Sequence, residues 1–296
     1  MLCKKCENTA VYECPTLCKE HFCNYIEERV FKTIKKYELI KPNERVVVAA
    51  SGGKDSLTLL HVLSKKFNVE CIAIDEGIEN YRENTLKTLK EFCKKREIKL
   101  NIFSYKDEFG GELSHFLKDN TKPCSICGTF RRYLLNKYSK EYDKLCTGHN
   151  MDDEAQSILM NLIRSNLELL ARIGPKTGII SNNSFVQRVK PLYFLKEREI
   201  ATYAFLNGLY RGYDECPYAI ESYRAKIRDM LNECELKHSG TKENIIKFFL
   251  RIQSKLKESI KITSLNYCKS CGEPTKGDIC GVCGIIIMNN SALIRK

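Results

Sequence analysis

A run of small, basic and acidic residues directly follows an apolar segment, residues 45–50. The run reads Ser51-Gly52-Gly53-Lys54-Asp55-Ser56. Adjacent glycines let backbone N–H groups approach a phosphate closely, and a helix beginning here adds partial positive charge. The lysine neutralises phosphate charge, and the aspartate is suited to a metal ion that bridges phosphate oxygens. The run predicts a phosphate-binding loop, distinct from the Walker loop because aspartate follows the lysine. An ordinary strand–helix turn is the alternative.

Three cysteines in the middle of the chain form a second set. Cys124 and Cys127 precede a helical pattern that carries Arg131, and Cys216 comes much later. Three thiolates suit an iron–sulfur cluster with one iron left open, or a redox pair with a third thiol. Residue types alone indicate equally well a further zinc site or buried thiols.

The two ends of the chain carry paired ligands at zinc-type spacing. Two ligands separated by two residues in a tight turn can bind one tetrahedral ion, and the metal supplies folding energy that these short segments lack. Cys14 and Cys23 are alternative ligands in the first set, and scattered free thiols are the alternative for both sets. The predicted ligands are Cys3, Cys6, Cys18 and His21 for one zinc ion, and Cys268, Cys271, Cys280 and Cys283 for the other.

Composition narrows the class of protein. The 296 residues are 43% hydrophobic and 29% charged, which is ordinary for a soluble globular protein. The chain contains neither a long apolar run nor a signal-peptide pattern, so we expect a cytoplasmic protein without a membrane span. Sixteen cysteines then indicate metal or redox chemistry, and a formal charge of +12 favours a polyanionic partner.

These residues need elements to position them. Apolar strand patterns at 45–50, 69–75, 99–105 and 144–148 alternate with helical patterns at 56–67, 81–97, 127–142 and 152–164. This alternation predicts an α/β fold with a doubly wound parallel sheet, whose ligands bind at the carboxyl ends of the strands. We place a zinc module at 1–27, an ATP-binding catalytic domain with a helical C-terminal part at 28–262, and a second zinc module at 263–296.

The phosphate loop resembles the PP-loop of the ATP pyrophosphatases. Within that superfamily, the three central cysteines resemble those of the tRNA 2-thiouridine and 2-thiocytidine synthetases. The TtuA/NcsA type of that TtuA/NcsA/TtcA family is similar over essentially the whole length. Residues 17–21, which contain Cys18 and His21, resemble its first zinc module, and residues 147–156 resemble its second conserved motif. The cytidine-thiolating relatives lack the flanking zinc modules, so the resemblance favours uridine.

The resemblance implies specific site residues. Cys124, Cys127 and Cys216 would hold a [4Fe-4S] cluster, and His21 is favoured over Cys23 as a zinc ligand. Asp55 and Asp152 would position Mg2+ near the reacting phosphate. The residues expected to contact ATP are Ala50, Ser51, Gly52, Gly53, Lys54, Asp55, Ser56, Ala73, Ile74, Arg131 and Gly148.

The resemblance also implies an activity. ATP would place AMP on the C2 oxygen of a tRNA uridine, and sulfur would displace it, with U34 favoured over U54. Sulfide or a ubiquitin-like thiocarboxylate carrier would donate the sulfur, and two copies would form a homodimer. Basic residues of a long helix, 241–262, would follow the tRNA backbone. The alternatives are a persulfide route without a cluster, another PP-loop tRNA-modifying enzyme such as lysidine synthetase, and a metal-dependent RNA-binding protein.

Overall fold

A five-stranded parallel sheet forms the centre of the computed structural model, which describes residues 1–118, 122–178, 185–209, 215–220, 222–260 and 266–293. The strands of the sheet are β3 (Val46–Ala49), β4 (Val69–Asp75), β5 (Leu100–Ser104), β6 (Lys144–Thr147) and β7 (Gln187–Val189). Their spatial order is β5-β4-β3-β6-β7, and every pairing is parallel. The predicted doubly wound sheet is confirmed, with β7 as a strand that the sequence pattern missed.

Helices cover both faces of this sheet. In chain order they are α1 (Lys19–Lys36), α2 (Lys54–Leu63), α3 (Arg82–Lys95), α4 (Tyr105–Phe109), α5 (Pro123–Tyr138), α6 (Met151–Ile163), α7 (Leu167–Arg172), α8 (Glu197–Leu206), α9 (Tyr223–Lys237), α10 (Thr241–Ser259) and α11 (Gly281–Leu293). Two short 3-10 helices span Leu113–Phe116 and Pro217–Ala219. Helix α5 begins earlier than predicted, with proline in its first turn, so Cys124 and Cys127 both lie on it.

Strand order reverses at β3, and this reversal positions the site. The chain proceeds from β3 outward to β4 and β5, and then returns to β6 on the other side of β3. The loops that follow β3 and β6 therefore diverge at the carboxyl edge of the sheet, which is where doubly wound sheets bind ligands.

The two terminal segments join the core on opposite faces of the sheet. Side chains alternate between faces along a strand, so Val46 and Val48 pack into one apolar cluster while Val47 packs into another. Cys3 and Cys18 belong to the first cluster. The C-terminal cysteines belong to the second.

Small antiparallel pairs accompany both terminal segments. They are β1 (Tyr12–Glu13) with β2 (Thr16–Leu17), and β8 (Asn266–Tyr267) with β9 (Pro274–Thr275). Helix α1 runs across the predicted boundary at residues 27 and 28, and the boundary predicted at 263 lies outside the described residues. Among the helices of the described residues, none is long and apolar enough to cross a bilayer.

Candidate active site and metal centres

The phosphate loop follows β3, and its own serine side chain holds its shape. Ser56 Oγ accepts hydrogen bonds from the backbone N–H groups of Ser51 and Gly52, both at 3.2 Å, and donates to the Gly53 carbonyl at 3.0 Å. Gly52 has φ +88°, and a Cβ there would lie 2.0 Å from the carbonyl oxygen of Thr85. The loop therefore needs glycine at position 52.

A cavity of about 370 Å³ opens beside this loop, at the carboxyl edge of the sheet. Gly148 brings the loop after β6 against the phosphate loop, because a Cβ there would lie 3.1 Å from the carbonyl carbon of Asp55. The residues predicted to contact ATP that line this cavity are Ala50, Ser51, Asp55, Ser56, Ile74, Arg131 and Gly148.

The other residues predicted to contact ATP lie behind the cavity wall. Gly52, Gly53 and Lys54 form the loop and the start of α2. Ala73 packs into the apolar cluster on the opposite face of the sheet, whereas its neighbours Ile72 and Ile74 line the cavity. This difference follows from the alternation of side chains along a strand.

The Lys54 ammonium is held between two carboxylates. Its Nζ lies 3.0 Å from Asp55 Oδ2 and 2.8 Å from Glu197 Oε1. Burial alone would lower the pKa of Lys54, but Asp55 and Glu197 outweigh it and raise that pKa. Lys54 therefore remains a cation at the beginning of α2.

Two carboxylates, those of Asp55 and Asp153, line the cavity together. Asp55 accepts a hydrogen bond from Asn150 Nδ2 at 3.0 Å. Asn150 and Asp153 cap α6 reciprocally, which fixes the direction of the Asp153 side chain. Burial, with the charge of Asp55, raises the pKa of Asp153 to about 7. Paired carboxylates that repel each other beside a phosphate loop suit a divalent cation such as Mg2+.

Asp152, the residue predicted from the sequence to position Mg2+, points elsewhere. Its Oδ1 accepts from Lys242 Nζ on α10, and its Oδ2 accepts from the backbone N–H of Glu197 at 2.8 Å. It is buried, and it joins α6 to α8 and α10. The expectation for Asp152 is corrected on this geometry: its neighbour Asp153 is the carboxylate on the cavity wall.

A buried ion-pair network missed by sequence reasoning forms another wall of the cavity. Arg82 Nε lies 2.9 Å from a Glu76 carboxylate oxygen and donates to the Ile74 carbonyl at 2.9 Å. Arg131 Nε lies 3.0 Å from the other Glu76 oxygen. No sequence signal marked Glu76 or Arg82, because charged residues at the start of a helix are normally solvated.

The same Arg131 reaches the central cysteines. Its Nη2 donates to Cys127 Sγ at 3.1 Å, and Tyr105 Oη donates to the Cys127 carbonyl at 2.7 Å. Cys124 lies one turn before Cys127 on α5, and its thiol donates to the Tyr218 carbonyl at 3.3 Å. Arg131 therefore joins the nucleotide cavity to the cysteine site.

The three central thiols are close enough to influence one another. Burial, and then the charge of Cys127, raises the pKa of Cys124, and burial with both neighbouring thiolates raises the pKa of Cys216. A metal centre would relieve this repulsion by binding all three as thiolates. Cys216 comes from a separate segment beside Pro217–Ala219, so the fold assembles the set. The donor set fits a [4Fe-4S] cluster with one iron open.

The N-terminal ligands have the spacing of a zinc site. His21 Nδ1 lies 3.5 Å from Cys3 Sγ, 3.5 Å from Cys6 Sγ and 3.3 Å from Cys18 Sγ. Bonds of about 2.3 Å to sulfur and about 2.0 Å to nitrogen give tetrahedral ligand separations of about 3.5 Å. The geometry brings together the predicted residues, with His21 rather than Cys23 in the set.

The C-terminal cysteines gather in the same way. Cys268, Cys271, Cys280 and Cys283 have their sulfur atoms within 4.8 Å of one another. The backbone N–H of Cys280 donates to Cys268 Sγ at 3.2 Å, and this lowers the pKa of Cys268 to about 6. A thiolate at neutral pH is the form that binds zinc.

Fold and site together define a PP-loop nucleotide-binding protein with three further metal-type centres. The sequence matches the family model ATP_bind_3, a PP-loop domain, over residues 24–235. It is 39% identical to the tRNA-5-methyluridine(54) 2-sulfurtransferase of Pyrococcus horikoshii over 96% of this chain and 93% of the relative. It is 34% identical to the tRNA 2-thiolation protein NcsA of Haloferax volcanii, over 97% and 98%.

A solved structure is similar along nearly the whole chain. The U34-tRNA thiolase NcsA from Methanococcus maripaludis, solved with its [4Fe-4S] cluster, superposes with a TM-score of 0.82. It is 32% identical, and the match covers 96% of this chain and 95% of that one. The chain belongs to the PP-loop family of tRNA 2-thiolation enzymes.

Proposed function

We propose that this protein is a cytoplasmic tRNA-uridine 2-sulfurtransferase that consumes ATP and releases AMP and pyrophosphate. The observation that carries the proposal is the position of Arg131, which lines the nucleotide cavity and donates to Cys127. A base that is adenylated in the cavity would therefore lie beside the cysteine site that supplies sulfur. The names of the relatives and the solved neighbour support this reading.

In the first step, the phosphate loop and a bound Mg2+ position the triphosphate of ATP. Backbone N–H groups of 51–53 and the beginning of α2 face the phosphates. Asp55 would hold the ion, and we assign the second carboxylate to Asp153. The uridine O2 attacks the α-phosphorus as N3 loses its proton, and pyrophosphate leaves. His149 lines the cavity, and burial keeps its pKa well below the usual range, so its imidazole is neutral.

In the second step, sulfur replaces the activated oxygen. Cys124, Cys127 and Cys216 would hold a [4Fe-4S] cluster, whose open iron would keep hydrosulfide deprotonated at neutral pH. The incoming sulfur bonds to C2, AMP leaves with the former O2, and the sulfur proton returns to N3. Arg131 offsets the negative charge of the Cys127 thiolate during this exchange.

The finer assignments extend this proposal. We assign U34 as the substrate, in line with the name of the solved neighbour, whereas the Pyrococcus relative is named for U54. Sulfide or a thiocarboxylated ubiquitin-like carrier supplies the sulfur, two Zn2+ ions hold the terminal modules, and the protein acts as a homodimer.

The test is an anaerobic assay of the iron-reconstituted protein with ATP, Mg2+, sulfide and an unmodified tRNA. We expect 2-thiouridine in the nucleoside digest and AMP in equal amount, and none with a tRNA in which cytidine replaces U34. Loss of product only with the U54→C tRNA would overturn the assignment to U34. AMP without thiouridine would indicate another PP-loop reaction, and thiouridine without bound iron would indicate the persulfide route.

A further inference from the structure

A second concave surface lies between α1, α10 and the start of α8. Its volume is about 760 Å³, and we call it the α1–α10 groove. Its lining includes Arg29 and Lys36 from α1, Lys196 before α8, and Lys247 and Arg251 from α10. A smaller hollow that shares Arg29 and Lys36 adds Lys32 to the rim.

The charge of the groove is strongly positive. Its acidic lining residues, Glu199 and Glu243, are already paired with Arg29 and Lys247. Lys32, Lys36 and Arg251 are exposed, and among the described residues no carboxylate lies within 4.0 Å of their charged groups. Three cations without acidic partners on one rim attract a polyanion.

Aromatic rings form part of the groove wall. Tyr37 and Phe194 stack with their centroids 5.4 Å apart and their planes inclined by 26°. Lys36 Nζ lies 5.4 Å from the centroid of the Tyr37 ring. Cations beside stacked aromatic rings suit the phosphates, riboses and exposed bases of RNA.

The groove begins next to the active site. Met151 lines the groove and starts α6, whose first turn also carries Asp153 of the nucleotide cavity. Lys196 lines the groove, and the next residue, Glu197, pairs with Lys54 of the phosphate loop at 2.8 Å. A strand of RNA in the groove would therefore pass directly beside the cavity.

We propose that the α1–α10 groove binds the phosphate backbone of the tRNA substrate; this rests on the proposed function. The structure also revises the basic face expected along 241–262. Lys247 and Arg251 lie in the groove, but Lys242 is buried against Asp152, and Lys261 lies outside the described residues.

The first test measures tRNA binding by fluorescence anisotropy. The groove variant is Lys32→Glu, Lys36→Glu and Arg251→Glu. The matched control is Lys87→Glu, Lys90→Glu and Lys94→Glu, which makes the same charge change on the exposed face of α3. We expect affinity to fall at least about tenfold in the groove variant and less than about twofold in the control. The dependence of log affinity on log salt should lose about 2–3 from its slope.

The second test is a footprint on the unsubstituted, metal-loaded protein. Cys14 is an exposed thiol in the groove, and Cys234 is an exposed thiol on α9 outside it. Bound tRNA should slow alkylation of Cys14 by a bulky maleimide at least about fivefold, measured by peptide mass spectrometry. Alkylation of Cys234 should keep its rate.

The outcomes separate the groove from the proposed function. Equal losses in the groove variant and the control, or equal protection of Cys14 and Cys234, would overturn the groove while leaving tRNA thiolation intact. If the wild-type protein binds no tRNA, both proposals fail. ATP binding, measured in parallel, should be unchanged in both variants because neither touches the nucleotide cavity.

Discussion

The terminal cysteine groups and the central cysteine group use the same side chain for opposite purposes. Within the described part of the chain, the two terminal groups hold four ligand atoms within 4.8 Å of one another. Cys124, Cys127 and Cys216 do not reach that spacing, and they lie beside Arg131 and a nucleotide cavity. The terminal groups are closed and complete, whereas the central group leaves a position open.

This difference teaches where each centre stores its value for the protein. A closed four-ligand zinc site contributes folding energy and leaves no coordination position for a substrate. An incomplete set beside a catalytic cavity contributes chemistry, and the surrounding helices can hold it without metal. Loss of a ligand should therefore affect stability at the ends of the chain and activity at its centre.

The largest effect is expected for Cys127→Ala. Thiolation should fall at least about a thousandfold, about 4 kcal/mol of barrier, because the central group loses a ligand and its contact with Arg131. Bound iron should fall with it, while the melting temperature of the protein stays close to wild type. The exposed Cys234→Ala serves as the control. A variant that retains full iron would contradict the ligand assignment.

Cys280→Ala should show the reverse pattern. One of the two zinc ions should be lost, because three ligands and a gap bind the ion poorly. The melting temperature should fall by about 10 °C, corresponding to about 3–5 kcal/mol. Metal analysis and calorimetry measure both changes. Unchanged stability after complete zinc loss would remove the distinction between the terminal and central groups.

Two adjacent carboxylates repeat the contrast within one helical turn. Asp153→Asn should lower Mg2+-dependent AMP formation about a hundredfold without lowering stability, because it removes a repelling charge near Asp55. Asp152→Asn leaves Lys242 buried without its carboxylate, so stability should fall by about 3 kcal/mol. Steady-state assays and urea unfolding distinguish the two. Equal effects in both assays would argue against separate roles.

The smallest effect concerns pH in the absence of Mg2+. The pKa of Asp153 is raised from 3.8 to about 7 on folding, so its contribution to stability is full below pH 3.8 and is lost as pH rises through 7. The side chain is partly exposed, so the difference in unfolding free energy between pH 5.5 and 8.5 should be about 1 kcal/mol. Urea titrations at both pH values should show it in the wild type, and Asp153→Asn should abolish it.

The sequence predicted those features that depend on local spacing. The run 51–56, the parallel sheet and both terminal ligand sets follow from patterns within a few residues, and the fold reproduces them. The assignments that went astray depended on direction. Asp152 and Asp153 differ by one residue on a helix, which turns one toward α10 and the other into the cavity.

Other site residues had no local signal at all. Glu76 and Arg82 lie on the same side of the cavity only after β4 and α3 have packed, and Arg131 joins them from α5. Cys216 reaches the central group across a long stretch of chain, and only the family resemblance connected it with Cys124 and Cys127. Long-range contacts of this kind are a property of the folded topology rather than of a sequence window.

One consequence of the C-terminal module concerns attempts to shorten or transplant the catalytic unit. Cys268, Cys280 and Val282 share an apolar cluster with Cys127 and with Phe130 of α5. Deleting the last thirty or so residues would thus strip one side of the helix that carries Cys124 and Cys127. The module is inseparable from its neighbour, and a minimal enzyme must keep it.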